Sequence, residues 1–93
     1  MKRYFIKYTR EAEDGVNNLI NAGDKIALRK LDQLFKELEL HPKKGSGTPR
    51  KINFRGKKYW RRKITDKHRL IYDIKDNIVT VTVIKIGGHY DEK

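Results

Sequence analysis

Apolar residues recur along this chain with two different spacings. Residues 3–8 alternate between polar and apolar side chains, which predicts a first strand. After Thr9, a typical N-cap residue, the apolar positions follow the period of an amphipathic helix. Gly23 is a typical residue for the end of one helix and Asp24 for the start of another, so the pattern predicts two helices joined by a tight turn.

The second half of the chain predicts a run of strands separated by short polar turns. The predicted strands span about residues 51–54, 58–65, 68–74 and 78–86. The last one is apolar on both faces and should therefore lie centrally in the sheet. The predicted fold is α+β with the order β-α-α-β-β-β-β, a helical hairpin packed on one face of a mostly antiparallel sheet. The other face is left for function, and residues 1–93 should form one domain.

The positive charge of the chain is concentrated in one window. The formal net charge is +11, and residues 41–69 contain twelve Lys or Arg against a single acid, so the rest of the chain is neutral. Such local charge predicts contact with nucleic acid through phosphates. Seven basic residues are the candidate RNA-binding side chains: Lys43, Lys44, Arg50, Lys51, Lys58, Arg61 and Arg62. Tyr59 and Trp60 within the window add aromatic surfaces on which bases could stack.

Composition excludes several other classes of function. The chain has no cysteine, no signal-peptide pattern and no apolar run long enough for a membrane helix, which favours a soluble cytoplasmic protein with no membrane partner. Its histidines, His41, His68 and His89, are far apart in sequence and lack the spacing of a zinc site. We therefore expect no metal and no cofactor. His41 is interpreted as a helix-end residue and His68 as a structural hydrogen-bonding residue beside a turn.

The densest pattern is the segment Trp60-Arg61-Arg62-Lys63-Ile64-Thr65-Asp66-Lys67-His68-Arg69-Leu70-Ile71-Tyr72. Side chains alternate faces along a strand, so Arg61 and Arg62 should point to opposite sides. Leu70 and Tyr72 should pack under the helices, which turns Arg69 onto the open face. Arg69 then has two readings, a surface ion pair with Asp73 or a guanidinium aimed at a phosphate.

This segment and the ending His89-Tyr90 resemble the RelE/ParE toxin superfamily, and most closely its YoeB (Txe) branch. That branch runs Trp-Ser-Arg-Arg-Ile-Thr-acid-acid-His-Arg-Leu-Val-Tyr and ends in His-Tyr. The resemblance covers nearly the whole chain and agrees with the predicted order of elements.

The resemblance implies the toxin of a type II toxin–antitoxin pair, a metal-independent endoribonuclease that cuts mRNA in the ribosomal A site. The implied partners are a cognate antitoxin and the ribosome, with its rRNA and A-site mRNA, while operator DNA would be reached only through the antitoxin. Cleavage in that family uses the 2′-hydroxyl of the substrate as nucleophile. Matching the motif implies that Arg69 stabilises the phosphate, His89 protonates the leaving oxygen and Tyr90 positions the substrate.

The chain departs from the family pattern at the expected general base. The family stretch Gly-Lys-Pro-Glu-Pro-Leu aligns with residues 47–52, so its glutamate is replaced by Arg50 and its nearby lysine aligns with Asn53. A guanidinium is a poor proton acceptor. Arg50 or Lys51 could instead lower the pKa of the 2′-hydroxyl electrostatically. The tail also departs, since three residues follow His89-Tyr90.

A second function stays open at this point. A non-catalytic module of the same fold, either a ParE-like gyrase inhibitor or a ribosome binder that lost cleavage, is compatible with the replacement by Arg50. The terminal His89-Tyr90 favours the ribonuclease, because the gyrase-directed branch has no need of these two residues.

Overall fold

The computed structural model describes residues 3–88 as two helices and a five-stranded sheet. The elements in chain order are β1 (Phe5–Tyr8), α1 (Arg10–Asn21), α2 (Lys25–Leu40), β2 (Arg50–Phe54), β3 (Lys57–Lys63), β4 (Arg69–Lys75) and β5 (Thr80–Gly87). The strand order across the sheet is β1-β5-β4-β3-β2. Only β1 and β5 pair in parallel, which confirms the predicted mostly antiparallel sheet and the central position of the last strand.

Both helices begin at the residues that the sequence predicts. The Thr9 Oγ1 atom accepts a hydrogen bond from the backbone N–H of Ala12 at 3.1 Å, and Asp24 Oδ1 accepts one from Ala27 at 3.1 Å. Each cap satisfies an N–H group that would otherwise lack a partner in the first turn. Gly23 between the helices adopts a φ of +67°, a conformation that favours glycine. Within residues 3–88, neither helix is long and apolar enough to span a membrane.

The main core lies between the helices and one face of the sheet. Leu31, Leu34 and Leu38 of α2 pack with strand residues that include Leu70 and Tyr72. Helix α1 lies so close to β5 that a Cβ atom at Gly15 would collide with the backbone carbonyl of Ile86. A glycine at this position therefore sets the distance between the helical layer and the sheet.

The boundary predicted for the last strand was wrong at its start. Ile78 lies in a 3-10 turn, Asp76–Ile78, and its side chain is 61% exposed. The Val79 residue that follows adopts a left-handed φ of 48°, and its N–H donates to the carbonyl of Asp76 at 3.2 Å. The apolar run in the sequence is longer than the strand because its first two residues, Ile78 and Val79, belong to the turn.

The second face of the sheet is only partly open. Ile52, Phe54 and Ile71 form a second apolar cluster there, with Tyr59 and Ile84 packed against it. The hairpin β2–β3 therefore curls over this face. At the tip of the hairpin, both terminal nitrogens of Arg55 donate to the carboxylate of Glu11 in α1, each at 2.7 Å. The sheet is concave on this side, and the prediction that the whole face is left for function holds only in part.

Candidate nucleic-acid interface

Five basic residues meet on the concave side of the sheet, and we call this surface the concave basic face. Arg50 lies opposite Arg61, Arg61 opposite Ile71, and Ile71 opposite Lys85 in the strand register. One row further along, Arg69 lies between Lys63 and Gly87. Residues directly opposite each other in paired strands project to the same face. The face therefore includes Arg50, Arg61, Lys63, Arg69 and Lys85, of which Arg61 is largely buried.

Arg69 is on the face where the sequence predicts it. Its Nη1 atom donates to three carbonyl oxygens of the β3–β4 turn, those of Thr65 at 2.7 Å, Asp66 at 3.2 Å and His68 at 3.1 Å. All three bonds use the same guanidinium nitrogen, Nη1. The alternative ion pair with Asp73 is not formed, since the Asp73 carboxylate contacts Lys75 Nζ at 3.4 Å.

Two carboxylates that contact residues of the concave basic face have lowered pKa values. The hydrogen bond from Arg55 is the main cause that lowers the pKa of Glu11, and Lys85 Nζ lies 3.7 Å from the same carboxylate. The pKa of Asp66 is lowered mainly by its hydrogen bond with Lys63, which lies 2.7 Å away, and further by the charge of Arg69. A carboxylate with a lowered pKa is a weak base. Neither residue is therefore a ready general base.

The prediction that Arg62 binds RNA is corrected by its burial. Its side chain has no exposed surface and lies on the helix side of the sheet. All three guanidinium nitrogens donate within the protein. Their acceptors are Tyr72 Oη at 3.1 Å, Glu37 Oε1 at 2.8 Å, and the carbonyls of His41 at 2.6 Å, Lys44 at 2.8 Å and Ser46 at 3.3 Å. A buried guanidinium with its donors used in this way cannot reach a phosphate.

Glu37 and Tyr72 complete the network around Arg62. Burial alone would raise the pKa of Glu37, but hydrogen bonds from Ser46, Gln33 and Arg62 outweigh it and lower this pKa to about 2. Burial raises the pKa of Tyr72, whose hydroxyl donates to the carbonyl of Pro42 at 2.7 Å. The network fixes residues 41–46, which have no regular secondary structure of their own.

The remaining predicted RNA-binding lysines lie on the helix side and not on the concave basic face. Lys51 lies opposite Trp60 and Lys58 opposite Asn53, in register with the helix-facing residues of β3. Lys44 belongs to the segment held by Arg62, and Lys43 Nζ contacts Asp76 at 3.0 Å. The single basic window in the sequence thus forms two surfaces. Lys44, Lys51 and Lys58 are exposed.

Two of the predicted catalytic residues, His89 and Tyr90, lie outside the described residues. The other histidines have structural positions. His68 Nε2 lies 3.4 Å from Asp24 Oδ2, which connects the β3–β4 turn to the start of α2, and the N–H of His41 donates to the carbonyl of Glu37 at 2.6 Å where α2 ends. No group of His, Asp and Glu residues suited to holding a metal ion occurs within residues 3–88.

Sequence reasoning missed two members of the concave basic face. Lys63 shares a strand face with Arg61, and this alternation was a sufficient signal to include it. Lys85 lies opposite Ile71, immediately before a register shift between Ile71 and Tyr72. Such a shift changes which side chains share a face, so the assignment of Lys85 required the strand pairing itself.

Comparison with known proteins identifies a family for this architecture. The sequence model described as "YoeB-like toxin of bacterial type II toxin-antitoxin system" matches residues 8–90. The toxin YoeB of Mycobacterium bovis is 35% identical over 69 residues, which are 74% of this chain and 79% of that protein. The toxin YoeB of Escherichia coli is 30% identical over 67 residues, with 72% and 77% of the two chains covered.

Solved structures show the same fold over almost the entire chain. A YoeB/ParE toxin from Agrobacterium tumefaciens superimposes with a TM-score of 0.80 at 26% identity and covers 97% of this chain and 100% of its own. The toxin in a heterotetrameric YoeB–YefM toxin–antitoxin complex from Staphylococcus aureus gives a TM-score of 0.74 at 26% identity, covering 95% and 99%.

Proposed function

The chain belongs to the YoeB-like toxins of bacterial type II toxin–antitoxin systems, and from this premise we propose that it is a ribosome-dependent endoribonuclease that cuts mRNA in the A site. The observation that carries the proposal is the concave basic face, where Arg69 lies opposite Gly87. His89 follows Gly87 by two residues in the sequence. Arg69 and His89 are the two catalytic candidates that the family resemblance supplies.

The proposed reaction is an attack of the substrate's own 2′-hydroxyl on the adjacent phosphate. The new bond from the 2′-oxygen to phosphorus displaces the 5′-oxygen of the next nucleotide, which leaves a 2′,3′-cyclic phosphate. Arg69 stabilises the charge that develops on the phosphorane oxygens. His89 gives its proton to the leaving 5′-oxygen, a role suited to a side chain that titrates near neutrality, and Tyr90 positions the substrate.

The deprotonation of the 2′-hydroxyl is the step in which this chain differs from its family. Arg50 cannot accept a proton, and Glu11 and Asp66 are held by basic partners. Positive charge close to a hydroxyl favours its ionised form. We propose that Arg50 and Arg61, which are opposite each other in the sheet, activate the nucleophile electrostatically and that a water molecule takes the proton.

The second candidate function is a toxin that binds the ribosome without cleavage, or inhibits gyrase, and the replacement of the family glutamate by Arg50 favours it. Single-turnover cleavage of mRNA on programmed ribosomes separates the two. We expect cleavage by the wild-type protein and also by Arg50→Glu, in which a carboxylate acts as general base in place of the electrostatic activation by Arg50. If only Arg50→Glu cuts, the wild-type chain acts by binding alone, and if neither cuts, the ribonuclease proposal is wrong.

We further propose that a cognate antitoxin with an acidic segment covers the concave basic face. Five basic side chains on one concave surface present a positive field that an acidic segment complements. Coexpression with the product of the adjacent gene should yield a complex that stays intact at low salt and releases the toxin as salt rises. A control carrying Arg50→Gln and Lys63→Gln should release it at lower salt. A well-folded toxin that never retains the neighbouring product would contradict this pairing.

A further inference from the structure

His68 lies directly before Arg69 in the chain but contacts the opposite layer of the molecule. Its Nε2 atom lies 3.4 Å from the Asp24 carboxylate at the start of α2, whereas Arg69 lies on the concave basic face. We propose that His68 is a positioning residue, whose contact with Asp24 anchors the β3–β4 turn and thereby orients the Arg69 guanidinium for the phosphate. This inference rests on the proposed function and adds a residue that acts through Arg69 and not on the substrate.

The orientation of the Arg69 guanidinium depends on the β3–β4 turn. Its Nη1 atom donates to the carbonyls of Thr65 at 2.7 Å, Asp66 at 3.2 Å and His68 at 3.1 Å. Within residues 3–88, the other two guanidinium nitrogens form no hydrogen bond. The guanidinium therefore keeps donors for an external acceptor, but it moves whenever the three carbonyls move. A displacement of about 1 Å can cost a reaction roughly 10²-fold.

The hydrogen bonds within the turn do not connect it to the helices. The carbonyl of His68 accepts from the N–H groups of Ile64 at 3.0 Å and Thr65 at 3.3 Å, and the N–H of His68 donates to the carbonyl of Thr65 at 3.3 Å. The Ile64 side chain is buried in the main core and anchors the beginning of the turn. In the part of the chain that the structure describes, the contact between His68 and Asp24 is the polar contact that ties the end of the turn to the helical layer.

Asp24 is a fixed anchor because its carboxylate also begins helix α2. Its Oδ1 atom accepts from the N–H of Ala27 at 3.1 Å, which leaves Oδ2 for His68, and its own N–H donates to the carbonyl of Leu19 at 3.1 Å. The Nδ1 atom of His68 is buried and has no hydrogen-bond partner within residues 3–88. The imidazole is therefore held through Asp24.

This placement separates His68 from the chemical step itself. A general acid or base must come within hydrogen-bond distance of the reacting oxygen. The His68 side chain is only 21% exposed and lies against the start of α2, while the proposed substrate site is on the other side of the sheet. His68 can therefore change the rate of cleavage only through the turn that it holds.

The experiment is a double-mutant cycle between His68 and Arg69, measured as single-turnover cleavage of mRNA on programmed ribosomes. His68→Ala removes the imidazole, and His68→Gln keeps a side-chain N–H that can donate to Asp24. Asp24→Asn keeps an oxygen for the cap of α2 but presents an amide to His68 in place of a carboxylate. Phe35→Leu is the control for lost stability, since Phe35 packs on Tyr8 of β1 with their ring centres 5.4 Å apart.

We expect His68→Ala to slow cleavage at saturation about 10- to 100-fold and to change the half-saturating ribosome concentration by less than about twofold, because Arg69 is misplaced and not removed. Asp24→Asn should reproduce this loss, and His68→Gln should recover most of it. In an Arg69→Ala background, His68→Ala should cause no further loss, since there is no guanidinium left to position. Phe35→Leu should leave the rate unchanged.

NMR relaxation of the Arg69 Nε–Hε group tests the positioning without any cleavage. The order parameter of this group should fall in His68→Ala and Asp24→Asn and should keep its wild-type value in Phe35→Leu. An unchanged order parameter in His68→Ala, or equal rate losses in the wild-type and Arg69→Ala backgrounds, would overturn the proposal. A wild-type protein that cuts no mRNA would contradict the proposed ribonuclease, and the order parameters would then decide whether His68 holds Arg69.

Discussion

Replacing Arg62 by alanine is expected to destabilise the protein by about 3–5 kcal/mol, the usual cost of removing one partner from a buried ion pair. The substitution leaves the carbonyls of residues 41–46 without their common donor and the Glu37 carboxylate without its cation. Urea denaturation followed by circular dichroism measures the effect. Arg62→Lys should recover only part of the loss, because an ammonium group cannot reach five acceptors in different directions.

The Lys36→Ala substitution is the matched control for the Arg62 experiment. Lys36 also pairs with a carboxylate, that of Asp32 at 3.1 Å, but both side chains are more than two-thirds exposed. Removing it should change the free energy of unfolding by about 0.5 kcal/mol or less. If Arg62→Ala costs no more than Lys36→Ala, the buried network does not hold residues 41–46, and the correction of the RNA-binding prediction loses its energetic support.

Replacing His89 by glutamine is expected to slow mRNA cleavage on programmed ribosomes by roughly 10²–10⁴-fold, the range for loss of a general acid. Arg69→Ala should reduce the rate by about 10²–10³-fold, as for loss of a donor that stabilises developing charge. The assignment of His89 as the acid is a prediction from sequence, which this measurement tests. Single-turnover conditions report the chemical step separately from ribosome binding.

Folding must be monitored in the same variants, because the Arg69 side chain also holds the β3–β4 turn. Its three bonds to turn carbonyls imply a loss of about 1–3 kcal/mol on removal. Lys67→Ala is the control, since it removes a positive charge from the same exposed turn without removing those bonds. A rate for His89→Gln equal to that of wild type would eliminate its assignment as the acid. If Lys67→Ala and Arg69→Ala lower the cleavage rate equally, Arg69 contributes only its positive charge and makes no specific contact with the phosphate.

The sequence was sufficient for the fold because its signals are local. Caps such as Thr9 and Asp24, and the periods of the helices and strands, each depend on a few neighbouring residues. The same alternation correctly separated Arg61 from Arg62. It could not predict that Arg62 is buried, because burial depends on the path of residues 41–49, and that segment has no periodicity.

The candidate site was less predictable for a related reason. The count of basic residues along the chain does not distinguish the two faces of a strand. It therefore assigned Lys51 and Lys58 to the same surface as Arg50 and Arg61, although they project to opposite faces. The curl of the hairpin depends on contacts between distant residues, such as Arg55 and Glu11. The terminal His89 and Tyr90 carry the chemical assignment by resemblance, and this assignment stays a prediction.

The parallel pairing of β1 with β5 has a consequence for the order in which the chain can fold during its synthesis. Phe5 pairs with Thr80 and Tyr8 with Val83, so the first strand is paired only with the last, at one edge of the sheet. Contacts between residues so distant in sequence form late, because the intervening chain must first be ordered. A nascent chain that lacks residues 80–87 has no partner for β1 and cannot close its core. The translating ribosome therefore has to synthesise residues 80–87 before the toxin can fold. A chain that is still incomplete stays unfolded and inactive.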